Sequence, residues 1–187
     1  MAKFSVTKTH IDGVVVIEPK TFRDERGFFL ESWNEMEFEE VGLKLKFVQD
    51  NHSRSIKGVL RGLHFQLPRP QGKLVRVARG RIFDVAVDLR KGSKTFGKWV
   101  GLYLSDDDMK MLYIPEGFAH GFLVLSELAD VIYKTTEFYF PEYDRGILWN
   151  DETIGIEWPL AEAGISHPIL SKKDSSLPRL RDIYQLL

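Results

Sequence analysis

The sequence contains no cysteine, which excludes disulfide staples, zinc–thiolate sites, iron–sulfur clusters and thiol catalysis. Nor does one sign of charge prevail: 26 Lys and Arg stand against 27 Asp and Glu, a formal net charge of -1. General nucleic-acid binding needs a basic surplus to displace counterions, so that class is set aside. A local cationic pocket for a small anion stays open. No apolar run approaches the roughly 18 residues of a membrane span. The opening Met1-Ala2-Lys3-Phe4-Ser5 lacks a signal-peptide core. A cytoplasmic location is expected, with neither a membrane nor a nucleic acid as partner. No repeat, low-complexity linker or domain boundary is visible in the 187 residues, which suffice for one domain (1–187) with a sizeable core.

What is present reads as β structure. Aromatic residues make up 12% of the chain, and 15 glycines punctuate many short β-branched runs. Val14 to Ile17 forms a first strand, stopped by Pro19. Leu74 to Leu89 reads as a hairpin around Arg79-Gly80-Arg81, where Gly80 supplies the positive φ of a tight turn. Trp99–Leu104, Met111–Ile114, Gly121–Leu125 and Val131–Tyr139 follow as strands. Short strands with turn chemistry between them describe a sandwich or barrel. Helix is confined to two places. Ser32-Trp33-Asn34-Glu35 has capping-box spacing ahead of a segment that Gly42 ends, and the tail from Ser171 holds a short helix or turn.

Several polar residues stand where a strand would not ordinarily carry them. In Val59 to Gln66, alternation puts His64 and Gln66 on one face and Arg61 on the other. An imidazole aimed into a barrel is either a hydrogen-bonded core residue or a proton carrier with a pKa near operating pH. For Arg61 to share a site with His64, a bulge or a wrapping neighbour must reconcile them. Lys73, at a strand start, is either a solvated edge lysine or a fixed cation for a developing oxyanion. Tyr133 and Tyr139 share a face of one expected strand, which would set them roughly 20 Å apart.

Pro115-Glu116-Gly117-Phe118-Ala119-His120 resembles the second motif of the cupin superfamily, with His64-Phe65-Gln66 at the place of the first. Gln66 stands where metal-binding cupins carry a second histidine, and no glutamate follows soon after. His10, His52 and His167 have no motif spacing, so a metal-free pocket is expected.

The motifs together resemble a narrower family. They are Asp24-Glu25-Arg26-Gly27-Phe28-Phe29, Phe47-Val48-Gln49-Asp50-Asn51, Arg61-Gly62-Leu63-His64-Phe65-Gln66, Gln71-Gly72-Lys73, the Pro115–Phe122 run, Trp149-Asn150-Asp151, Gly155–Pro159 and Leu170–Asp174. In this order, over nearly the whole chain, they are similar to the dTDP-4-dehydrorhamnose 3,5-epimerases. The resemblance implies a mainly β, cupin-type jelly roll with short helical additions, and a homodimer that exchanges N-terminal strands. It implies an epimerase acting without cofactor or metal on dTDP-4-dehydro-6-deoxy-glucose in dTDP-L-rhamnose synthesis. It also implies His64 as base, Asp174 as the residue that orients it, Tyr133 as proton donor and Lys73 as support for the enolate. Arg26, Glu31, Gln49, Asp50, Asn51, Arg61, His120, Asp144 and Lys173 fall at substrate-contacting positions, Arg26 and Glu31 in the partner's pocket. Tyr139 matches an aromatic that stacks on thymine. Asp144 departs from the family pattern, which has glutamate there and reaches one methylene further.

Overall fold

The computed structural model describes residues 2–187. Two antiparallel sheets pack face to face. The first has six strands: β1 (Phe4–Lys8), β2 (Val15–Pro19), β5 (Gln49–Ile56), β7 (Lys73–Arg79), β10 (Met111–Ile114) and β12 (Leu128–Thr135), in the order β1-β2-β10-β7-β12-β5. The second has five: β6 (Leu60–Gln66), β8 (Arg81–Asp88), β9 (Trp99–Ser105), β11 (Phe118–Val124) and β13 (Asp144–Gly146), in the order β13-β6-β11-β8-β9. A separate hairpin pairs β3 (Thr21–Asp24) with β4 (Gly27–Leu30). Non-consecutive neighbours within both sheets make this a jelly-roll sandwich, as expected.

The core follows from alternation. Val75, Val77, Leu112, Ile114 and Val131 of the first sheet meet Ile82, Ala86, Phe122 and Val124 of the second. The outer face of the second sheet buries Phe83, Val85 and Val87 beneath the C-terminal third of the chain. The outer face of the first is capped by helix α1 (Glu35–Glu40), whose Phe38 packs against Phe4 and Trp33. Asn34, not Ser32, is the N-cap of α1, because its side chain accepts the Glu37 amide. Gly42, at φ +86, follows the helix end as expected.

The strands expected around Gly80 exist, but they are not a hairpin. β7 pairs with β10 and β12 in one sheet, and β8 with β9 and β11 in the other. Gly80 (φ +83) is a corner between sheets, and a Cβ there would lie 2.1 Å from the Leu128 carbonyl oxygen. The turn chemistry was legible; the long-range pairing was not. β12 stops at Thr135 and does not run to Tyr139. The tail forms a short 3-10 helix (Asp174–Ser176) and helix α2 (Leu180–Ile183). Among the described residues no helix is long and apolar enough to cross a membrane.

Candidate active site between the sheets

A cavity of about 390 Å³ opens between the sheets, lined by Arg61, His64, Lys73, His120, Tyr133, Lys173 and Asp174 among others. A smaller space of about 90 Å³ shares His64, Lys73 and Tyr133 with it and adds Tyr139 and Asp144.

Local irregularity in β6 builds one wall. His64 stands opposite His120 and Arg61 opposite Phe122, so three steps along β6 match two along β11. That bulge resets the alternation and brings Arg61 to the His64 side. It depends on glycine: Gly62 has φ +116, and a Cβ there would fall 2.5 Å from the Gly121 Cα. Arg61 Nε then donates to Ser55 Oγ at 3.0 Å, which holds the guanidinium in the cavity wall.

His64 is half-buried, and its Nε2 lies 2.6 Å from Asp174 Oδ1. With the Nε2 proton donated to that carboxylate, Nδ1 carries the free lone pair of the neutral ring. Burial alone would raise the Asp174 carboxyl. The hydrogen bonds from His64, Ser171 and the Gly62 backbone outweigh it and hold the group below its ordinary value. A fixed anion behind an imidazole sets its tautomer and orientation.

Lys73 occupies the first position of a central strand and is buried, with Nζ 3.4 Å from the His64 carbonyl oxygen. Burial pushes its ammonium down to about 8, against the opposing charges of Asp84 and Asp144. The solvated-edge reading of Lys73 is thereby excluded. Tyr133, opposite Val75 two residues along β7 from Lys73, is raised above its ordinary value by burial and by Asp144, which together exceed the counter-effect of Arg61. It stays protonated at neutral pH.

His120 Nε2 lies 2.7 Å from Asp84 Oδ1, and both are buried. Burial lowers the imidazole in spite of that charge, so the ring is neutral near pH 7. Motif reading did not single out Asp84. A lone carboxylate in the apolar run Ile82-Phe83-Asp84-Val85-Ala86-Val87 was the available signal.

Tyr133 and Tyr139 are not the ends of one strand, because the chain bends after Thr135 and both rings border the smaller space. The Tyr139 hydroxyl donates to Asp144 Oδ2 at 2.9 Å, and Lys173 Nζ pairs with the same oxygen. The shorter Asp144 side chain therefore still reaches both groups.

Five expected contact residues do not line this cavity in their own chain. Asp50 points to the outer face of the first sheet, where its carboxylate takes Lys134 Nζ at 2.9 Å. Asn51 accepts from Gln49 Nε2 at 2.9 Å, and Gln49 Oε1 accepts the Tyr139 amide at 2.9 Å. Arg26 stands on the exposed β3–β4 hairpin, paired with Asp24, and Glu31 pairs with Lys3. Among the described residues no three His, Asp or Glu side chains gather as a metal-ligand group.

Comparison with known proteins gives a consistent result. A sequence family described as dTDP-4-dehydrorhamnose 3,5-epimerase matches residues 8–182. A protein of that name from Methanothermobacter thermautotrophicus is 57% identical over 182 residues, covering 97% of each chain. The Legionella pneumophila dTDP-6-deoxy-D-glucose-3,5-epimerase, solved with dTDP-4-keto-L-rhamnose, superposes with a TM-score of 0.90. It is 50% identical and covers 95% of this chain and 93% of its own. A Streptomyces bikiniensis 3′-monoepimerase, solved with dTDP, shares the fold at a TM-score of 0.87 and 30% identity, over 96% of this chain and 89% of its own.

Proposed function

Because this chain belongs to the dTDP-4-dehydrorhamnose 3,5-epimerase family, we propose that its one domain inverts C3 and C5 of dTDP-4-dehydro-6-deoxy-glucose through enolate intermediates. The 4-keto group acidifies the C–H bonds on either side of it, since the carbanion delocalises onto oxygen. A base must take a proton from one face, a cation must steady the oxyanion, and an acid must return a proton to the other face. His64, backed by Asp174, is the base. Lys73 is the cation and Tyr133 the acid. The observation that carries this reading is the 2.6 Å His64–Asp174 contact in a cavity that also holds Lys73 and Tyr133.

Arg61 and Lys173 bind the diphosphate, and Tyr139 stacks on thymine. The chemistry needs no redox cofactor, because hydrogen leaves and returns as a proton. A homodimer completes the site. The β3–β4 hairpin exposes Phe22, Phe28 and Phe29 outside both sheets, a surface suited to burial against a second copy, which would carry Arg26 to the partner's pocket. Nucleotide sugars are cytoplasmic metabolites, which agrees with the expected location.

Proton NMR in deuterated water tests the reaction. Product should carry deuterium at both C3 and C5, and a chelator should leave the rate of labelling unchanged. Label at one carbon alone would identify a single-site enzyme of the S. bikiniensis kind and overturn the double epimerisation. Chelator-sensitive labelling would overturn the metal-free mechanism.

The Lys73 ammonium gives the pH dependence. Its cation is present below about 8 and is lost as pH rises through that value. The free-enzyme profile of kcat/KM should therefore fall on the alkaline side with an apparent pKa near 8. Lys73→Arg, which stays protonated, should move that limb upward by more than a pH unit. A limb that stays put in the arginine variant would assign it to another group.

A further inference from the structure

We propose that Gln66 is the positioning residue for the Tyr139 ring, acting through the backbone on both sides of it. Its carboxamide is buried, and every bond it makes holds a loop. Nε2 donates to the Phe138 carbonyl at 3.0 Å and to the Arg69 carbonyl at 2.6 Å, while Oε1 accepts the Phe140 amide at 2.8 Å. Phe138 and Phe140 flank Tyr139, so one side chain brackets that residue from both directions.

The bracket is needed because the chain leaves the sheet soon after β12 ends at Thr135, past Thr136, whose amide still donates to the Gly72 carbonyl at 3.0 Å. Residues 137–140 have no ladder to hold them, and Phe138 and Tyr139 are exposed, so side-chain hydrogen bonds must place this backbone. The Tyr139 amide goes to Gln49 instead, and the Tyr139 hydroxyl goes to Asp144. Asp144 is itself the strand partner of Gln66. Both ends of the tyrosine are thus referred to one point in β6, two residues from His64. The distance between the reacting centre and the nucleotide end is set along a single strand.

Chemistry at this position is restrictive. Two donors and one acceptor are committed at once, a combination that only a carboxamide offers in this shape. Glutamate has the same outline but turns carboxylate lone pairs toward the Arg69 and Phe138 carbonyls. Methionine has similar length and offers neither donor nor acceptor of useful strength.

This inference rests on the reading of Tyr139 as the ring that stacks on the base, and the experiment separates the two. KM and kcat are measured with the dTDP-sugar for Gln66→Glu, Gln66→Met, Tyr139→Ala and the Gln66→Met/Tyr139→Ala pair, with calorimetric binding of dTDP beside them. Each single variant should raise KM and the dTDP dissociation constant about tenfold, within the range for losing one aromatic–base stack, with kcat changed by less than about twofold. In the Tyr139→Ala background, Gln66→Met should add less than about a factor of two, because it acts through the missing ring. An unchanged KM in Tyr139→Ala would overturn the stacking reading. A KM raised by Tyr139→Ala but not by the Gln66 variants, or a full additional loss in the pair, would overturn the role of Gln66. So would failure of both Gln66 variants to fold, since Gln66 would then support the whole sandwich and not one ring.

Discussion

His64→Ala should lose epimerase activity by about 10²–10⁴-fold or more while remaining folded, the range for removing a general base. Each tenfold loss corresponds to about 1.4 kcal/mol of transition-state stabilisation. No other side chain in the cavity substitutes for it. His120 is pinned to Asp84 and lowered by burial, and Lys73 is a cation over most of the working pH range. The alanine variant leaves the buried Asp174 carboxylate without its main partner, though Ser171 and the Gly62 backbone still donate to it. His64→Asn, which keeps an amide donor, is therefore the companion variant. Both should lose deuterium wash-in at C3 and C5 in parallel with turnover, because the proton is no longer removed. A folded variant that keeps most of its kcat would remove His64 from the mechanism.

Tyr133→Phe should split the reaction in half. The ring stays packed among core side chains and edge-on to His120 at 6.5 Å between centroids, so stability changes little. Only the phenolic proton is deleted. Deprotonation by His64 continues, and substrate incubated in deuterated water still exchanges within a few-fold of the normal rate. Product with inverted centres should form about 10²-fold more slowly or worse, since the enolate has no acid on its other face. Because burial keeps this phenol protonated, the defect should persist at neutral and moderately alkaline pH. Equal loss of exchange and of inversion would make Tyr133 a positioning group.

The reach of the sequence follows a physical division. Local chemistry was readable: glycine turns, the buried-strand pattern of β10, and the histidine and lysine out of place in apolar strands. Family motifs added Asp174, which spacing alone would not have tied to His64 from 110 residues away. What was not readable depended on partners distant in sequence. The Gly80 turn gave no sign of whether its two strands would share a sheet. β5, with the polar sequence Gln-Asp-Asn-His-Ser-Arg-Ser-Ile, is an edge strand whose pairing to β12 outweighs its weak strand pattern. The bend after Thr135 has no glycine or proline to announce it. Gln66 and Gln71 impose it from elsewhere in the fold, the latter by donating to the Glu137 carbonyl at 2.9 Å. Asp84 was missed although a signal existed, a lone charge in an apolar run.

The 110-residue span between His64 and Asp174 also bears on how the enzyme comes into being and how it is lost. Loop-closure cost grows only slowly with length and the β2–β10 pairing spans nearly as far, so what sets this contact apart is that it rests on a few side-chain bonds and not on a sheet ladder. The two sheets can be assembled while the segment carrying Lys173 and Asp174 is still undocked. Such a molecule has the strand content of the finished protein, an imidazole without its anion and a pocket without one wall. For this protein, turnover is a stricter gauge of nativeness than any spectroscopic measure of β structure.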